Sequence, residues 1–132
     1  MLDLDLLAEE YAVCRLPVGA HIPPALFGDP SDGVVSVTCT RDEVSVICRS
    51  DRVPPEAAVE TPWRCFRVAG PIDLALTGIL ASLVVPLADA RVNIFAFSTH
   101  DPDYVLVPAV RLAEALAALT SAGHRVATPA TP

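Results

Sequence analysis

The sequence predicts an α+β protein, and three observations predict it. Short runs rich in β-branched and aromatic residues recur along the chain with alternate positions apolar, as half-buried strands require. Two longer stretches repeat leucine at intervals of three and four, the spacing of one helix face. Hydrophobic residues make up 52% of the 132 positions and charged residues only 19%. That is the composition of a compact globule whose faces are mostly covered, in part by another subunit.

The first half reads as strands and irregular loops. Tyr11 to Leu16, Val34 to Cys39 and Val44 to Cys48 are β-like, and the last two form a hairpin across Thr40-Arg41-Asp42-Glu43. Between the first two lies "PVGAHIPPALFGDPSDG", whose prolines and glycines leave room for at most one brief helical turn around Ala25. Ser50 to Pro62 is equally rich in proline and acid and reads as a linker.

The second half is more regular. Trp63 to Val68 reads as a strand, Asp73 to Ala90 as a helix, Val92 to Ser98 and Asp103 to Val107 as a hairpin, Pro108 to Ala122 as a helix, and His124 to Ala127 as a last strand. In the first helix Leu76, Leu80, Leu83 and Leu87 share a face, while Pro86 removes a backbone donor and kinks or shortens it. In the second, Pro108 stands at a favoured first position, Leu112, Leu116 and Leu119 align, and Gly123 supplies the stop. The order β-α-β-β-α-β is the ferredoxin-like arrangement. Laying Thr40 on Thr99 aligns "VSVTCT" with "NIFAFST" and "VSVIC" with "DYVLV" in one alternating register. The chain therefore reads as two related units: an incomplete one at 1–62, a complete one at 63–127, and a flexible tail at 128–132.

The formal charge of −7 repels a phosphate backbone, and the nine basic residues form no stripe, which excludes nucleic acid and an anionic membrane surface as partners. Val68 to Ala88 carries a single charge, but Pro71, Asp73, Gly78 and Pro86 and the lack of basic flanks argue against a membrane helix. The acidic start "MLDLDLLAEE" is unlike a secretory signal and points to the cytoplasm. Cys14, Cys39, Cys48 and Cys65 form no Cys-x-x-Cys pair and no zinc spacing with His21, His100 or His124. All four read as buried thiols in a reducing compartment, and no metal or cofactor is expected.

Trp63 to Pro108, "WRCFRVAGPIDLALTGILASLVVPLADARVNIFAFSTHDPDYVLVP", is more specific. Its Trp63-Arg64, Gly70-Pro71, Gly78-Ile79-Leu80, Pro86-Leu87, Ser98-Thr99 and Asp103-Tyr104 followed by Leu106-Val107 resemble the ACT domain. The likeness is to the branch that includes the CASTOR arginine sensors and small bacterial ACT proteins, and it extends more faintly over Thr38 to Cys48. The resemblance implies a regulatory or sensing homodimer that binds an amino acid where two ACT units meet, without catalysis. It places the ligand against Gly78, Ile79 and Leu80, and against Ser98, Thr99, His100 and Asp103. The arginine sensors carry an acidic residue two positions before the glycine; here Leu76 stands there, which speaks against arginine and leaves a smaller or more apolar amino acid.

The chemistry fits that placement. A helix N-terminus presents unsatisfied N–H groups and partial positive charge, so the amides of Gly78, Ile79 and Leu80 can receive a ligand carboxylate. Asp103 can oppose the α-ammonium, and the Thr99 hydroxyl can bridge either pole. The plainer alternatives are that Gly78 permits close helix-on-sheet packing, that Asp101 and Asp103 are turn residues, and that His100 is solvated at a hairpin tip. His21 and His124 read as surface residues and Trp63 as a core anchor. A Ser98–His100–Asp103 triad lacks a nucleophile elbow and an independent element to orient the imidazole. A metal on His100, Asp101 and Asp103 lacks supporting groups around it.

Overall fold

The computed structural model describes residues 1–27, 33–69 and 77–129. The chain forms β1 (Asp3–Leu16), β2 (Ser36–Cys39), β3 (Val44–Arg49), β4 (Ala58–Val68), α1 (Ile79–Asp89), β5 (Phe95–Ser98), β6 (Asp103–Pro108), α2 (Leu112–Ser121) and β7 (Arg125–Ala127). It divides into two compact units: Met1–Ala8 together with Arg64–Pro132, and Glu9–Trp63. β1 and β4 each contribute residues to both.

The unit holding residues 64 onward is the α+β, ferredoxin-like arrangement that the sequence predicts, with one strand added. Its order is β7-β1-β4-β6-β5, so the N-terminal strand lies between the last and first strands of the βαββαβ motif. β7 pairs with it in parallel, Leu4 against Val126, and Arg125 donates to the Leu2 carbonyl at 2.9 Å. The sequence reading starts the first strand at Tyr11, whereas β1 starts at Asp3. Physically, Leu4 and Leu6 alternate with Asp3 and Asp5, and the leucines are buried.

Those leucines join Phe66, Val68, Val105 and Val107 on the helix-facing side of the sheet, where Leu83, Leu87, Ala115 and Leu119 cover them. α1 is shorter than its leucine periodicity suggests. Its N-cap is Gly78, the bounds are 79–89, and Leu76 lies outside the described residues. Leu83 and Leu87 are buried as expected, but Leu80, in the first turn, is 37% exposed. Pro86 neither ends α1 nor stops it short of Asp89. α2 is preceded by a 3-10 turn over Ala109–Arg111, so Pro108 stands ahead of that turn and not at the start of the helix. Gly123, at φ 96°, ends it.

In the other unit β3 lies between β2 and β1, with Val37 against Val46 and Cys14 against Val46 on its two sides. Thr40 closes the β2–β3 turn: its Oγ accepts from the amides of Asp42 at 3.1 Å and Glu43 at 3.0 Å. The proline-rich loop supplies a 3-10 turn at Pro24–Phe27, and its buried Leu26 packs with Ala12, Cys14, Leu16, Val44 and Val46. Ser50 to Pro62 is not a linker throughout. A 3-10 turn occupies Ser50–Arg52 and β4 begins at Ala58, because the chain returns to extended pairing before the proline at 62.

Cys14, Cys48 and Cys65 are buried thiols, but Cys39 is exposed, since β2 ends the strand path and turns its last two residues outward. Among the described residues no helix is long and apolar enough to cross a membrane.

Candidate functional site

Gly78 opens α1 in the left-handed conformation, φ 78° and ψ 3°. An L side chain is strained there, which is the local reason for glycine. Close packing is not the reason: no described atom lies within 4 Å of the place a Cβ would take. The first intrahelical bond runs from the Ser82 amide to the Gly78 carbonyl at 3.0 Å. The amides of Ile79, Leu80 and Ala81 therefore have no acceptor within the helix. The Ser82 hydroxyl donates to the Ile79 carbonyl at 2.7 Å and so braces this turn. Gly78 and Leu80 are exposed and Ile79 is half-buried. Ala81, whose amide belongs to the same set, carries no side-chain signal and is missed by reading the sequence.

Ser98, Thr99, His100 and Asp103 gather at the β5–β6 hairpin. Ser98 and Asp103 face each other in register, and the serine hydroxyl donates to Asp103 Oδ1. Thr99 donates its amide to the Pro102 carbonyl at 3.0 Å and its hydroxyl to the same oxygen at 3.3 Å. Nδ1 of His100 lies 3.0 Å from Asp101 Oδ1 and the ring is exposed. These are the bonds of a tight turn, and they engage Oδ1 of both Asp101 and Asp103 but neither Oδ2. The structure thus brings together the three amides at the start of α1, and separately the four hairpin side chains. No hydrogen bond or ion pair joins the two groups among the described residues.

His124 is not a surface residue. It is 5% exposed and is the buried polar residue among those described. Its Nδ1 accepts from the Leu2 amide at 3.1 Å, and its Nε2 lies 2.8 Å from the Ser82 carbonyl. His21 is exposed, as its surroundings suggest, and Trp63 is buried.

On the sheet face away from the helices, Arg67 pairs with Asp5 at 3.0 Å. That hydrogen bond, with help from Tyr104, holds the guanidinium charged. Tyr104 stacks on Phe97 with ring centroids 5.0 Å apart and planes 8° from parallel. In the other unit, Cys48 lies against Cys14, and their shared hydrogen bond and burial push the Cys48 thiol upward. A cavity of about 130 Å³ also lies in that unit, lined by Pro23, Leu26, Val53, Pro54 and Arg52 among others.

Residues 58–121, which hold most of this βαββαβ unit, match the family model of the ACT domain. Domains of that family are typically regulatory and bind small ligands, and the match is to residues 58–121 of this chain. Residues 9–56 match the family model of an N-terminal domain. The chain belongs to the same family as an Agobacterium tumefaciens protein of known crystal structure. The two are 35% identical over 98% of this chain and 95% of that one, with a TM-score of 0.88. The regulatory subunit of aspartate kinase from Thermus thermophilus, in its ligand-free form, shares the fold. It is 16% identical, covers 91% of this chain and 97% of its own, and gives a TM-score of 0.61. Aspartate kinase from Clostridium acetobutylicum, described as an allosteric enzyme, does so over 86% of this chain and 33% of its own, at 12% identity and a TM-score of 0.64. No curated protein matches.

Proposed function

We propose that this protein is a non-enzymatic sensing module of the cytoplasm that binds a free amino acid and acts as a homodimer, the ligand lying where two ACT units meet. One observation carries the reading: Gly78 in the left-handed conformation opens α1 with the amides of Ile79, Leu80 and Ala81 unclaimed within the helix. In the proposed complex the ligand carboxylate sits on those amides. Asp103 Oδ2 and the Ser98, Thr99 and His100 side chains of a hairpin meet its ammonium end, completed across the two-fold axis. The linked motifs from Trp63 to Val107 support a place in the branch of the arginine sensors, and Leu76 supports a ligand smaller or more apolar than arginine. In this reading residues 1–62 are an incomplete ACT-like unit, 63–127 a complete one and 128–132 a tail.

The bond from Ser98 to Asp103 favours a second reading, in which the carboxylate serves the hairpin and the module acts on a partner protein without ligand. A thermal-shift panel of the twenty amino acids separates the two. At about a hundred times its dissociation constant a true ligand adds ~2.7 kcal/mol of stability. A melting temperature raised by one amino acid supports sensing, and a flat panel at millimolar concentration leaves the partner-only module. Asp103→Ala then tests the hairpin: unchanged affinity removes Asp103 from the site.

A further inference from the structure

α1 holds a proline in its interior, and proline has no amide hydrogen. The carbonyl four residues earlier, that of Ser82, therefore receives no bond from within the helix. Nε2 of His124 takes that carbonyl, at 2.8 Å, from 42 residues away. The tautomer follows from the partners. The Leu2 amide can only donate, so Nδ1 is the accepting nitrogen and Nε2 carries the hydrogen directed at Ser82.

The ring is held from both sides. The His124 amide donates to the Leu119 carbonyl at 3.1 Å, fixing it to the end of α2, and Arg125 donates to the Leu2 carbonyl at 2.9 Å. Leu2 is thus gripped by its N–H and by its C=O. Ser82 is the node on the other side: its amide bonds Gly78 at 3.0 Å and its hydroxyl bonds Ile79 at 2.7 Å. A continuous chain of hydrogen bonds runs from the first strand through the imidazole into the opening turn of α1.

The geometry points to His124 as a positioning residue for that turn, acting as a pair with Pro86. An alanine at 86 would satisfy Ser82 inside the helix and leave α1 tied to the sheet by apolar contacts, which resist sliding poorly. Proline releases the carbonyl outward, and histidine converts it into a directional link to β1 and β7. The charged groups on the surrounding elements include Asp3, Asp5, Arg67, Asp89, Arg111, Glu114 and Arg125. Asp3 pairs with Arg125 at 2.7 Å and Arg111 with Glu114 at 3.5 Å, and none bonds to the ring. The inference rests on the proposed site for its functional half, because the turn so fixed is the one that presents the amides of Ile79 and Leu80.

The experiment is a double-mutant cycle on the full chain with ligand affinity as a second readout. His124→Leu should shift the unfolding equilibrium about tenfold toward the unfolded state, since a part-buried carbonyl and a part-buried amide lose their partners. In a Pro86→Ala background, where residue 86 again donates to Ser82 and only the Leu2 amide loses its partner, that loss should shrink by about threefold. Equal losses in both backgrounds overturn the pairing. If His124→Leu fails to fold, imidazole nitrogen NMR on the unaltered protein decides: hydrogen on Nε2 with Nδ1 accepting supports the link, and hydrogen on Nδ1 refutes it. His124→Leu should also weaken the amino acid found by the thermal-shift panel, and Pro86→Ala should restore its affinity. Unchanged affinity in His124→Leu overturns the positioning role while leaving the site intact. A protein that binds no amino acid defeats the site reading while the stability cycle still reports on the link.

Discussion

The two units use the same sheet chemistry and cover it differently. In the unit with residues 64 onward, Phe66, Val68, Val105 and Val107 lie under two helices. In the Glu9–Trp63 unit, Ala12, Cys14, Val44, Val46 and Cys48 lie under Leu26 of a 3-10 turn and under Ala20, Ile22, Val35, Val53 and Ala57. Most of those covering residues come from segments broken by Pro17, Pro23, Pro24, Pro54 and Pro55. A sheet needs a lid of apolar side chains, but the lid need not be helical. The helical lid brings something the irregular one does not: a helix of 11 residues whose opening amides have no acceptor within the helix. That is why the candidate site falls on one unit.

Core truncations probe this contrast with the largest effects. Phe66→Ala, under helices that relax little, should cost about 3–5 kcal/mol in denaturant unfolding. Leu26→Ala, beneath a loop that can settle into the space, should fall near 2 kcal/mol, the low end of its class. Equal costs would mean that the irregular lid is as rigid as the helical one.

The two units' left-handed glycines sharpen the comparison. Gly33, at φ 87°, sits so close to Tyr11 that a Cβ would strike its hydroxyl. Gly33→Ala should therefore combine backbone strain with overpacking, about 3 kcal/mol in all. Gly78→Ala adds a Cβ with no described atom within 4 Å and should cost only about 1–2 kcal/mol of stability. If the site is as proposed, it should also weaken ligand binding, because the added methyl stands beside the receiving amides.

Smaller effects test the surfaces. Arg67→Ala breaks the half-exposed pair with Asp5 and should cost less than about 1 kcal/mol in thermal unfolding. A thiol reagent added to the folded protein should label Cys39 rapidly and leave Cys14, Cys48 and Cys65 until unfolding. Rapid labelling of Cys14 or Cys48 would show that the irregular lid opens readily.

Much of the fold is legible in the sequence, and the exceptions have physical causes. The hairpins, the second helix and the βαββαβ order follow from periodicity and from Gly123, while the turn at Ala109–Arg111 displaces Pro108 from the first helical position. The strand at Asp3–Glu10 carries the same signal over "LDLDL", but the alternation breaks at Leu7, and its acidic composition fits an exposed start equally well. The start of α1 is obscured because "DLALTGILASL" keeps a helical leucine spacing across a glycine whose left-handed backbone no spacing reveals. His124 is the furthest from legible. Its role depends on a proline 38 residues earlier and on Leu2, brought beside it by β1–β7 pairing, and neither leaves a local mark.

The most direct test follows the backbone amides of the labelled protein by NMR while each amino acid is titrated in. The account predicts that one of them moves the Ile79, Leu80 and Ala81 signals downfield in a saturable way, with hairpin residues 98–103 responding alongside. If no amino acid shifts those three amides, or if a ligand perturbs only residues far from them, the opening of α1 is not where this protein reads its signal.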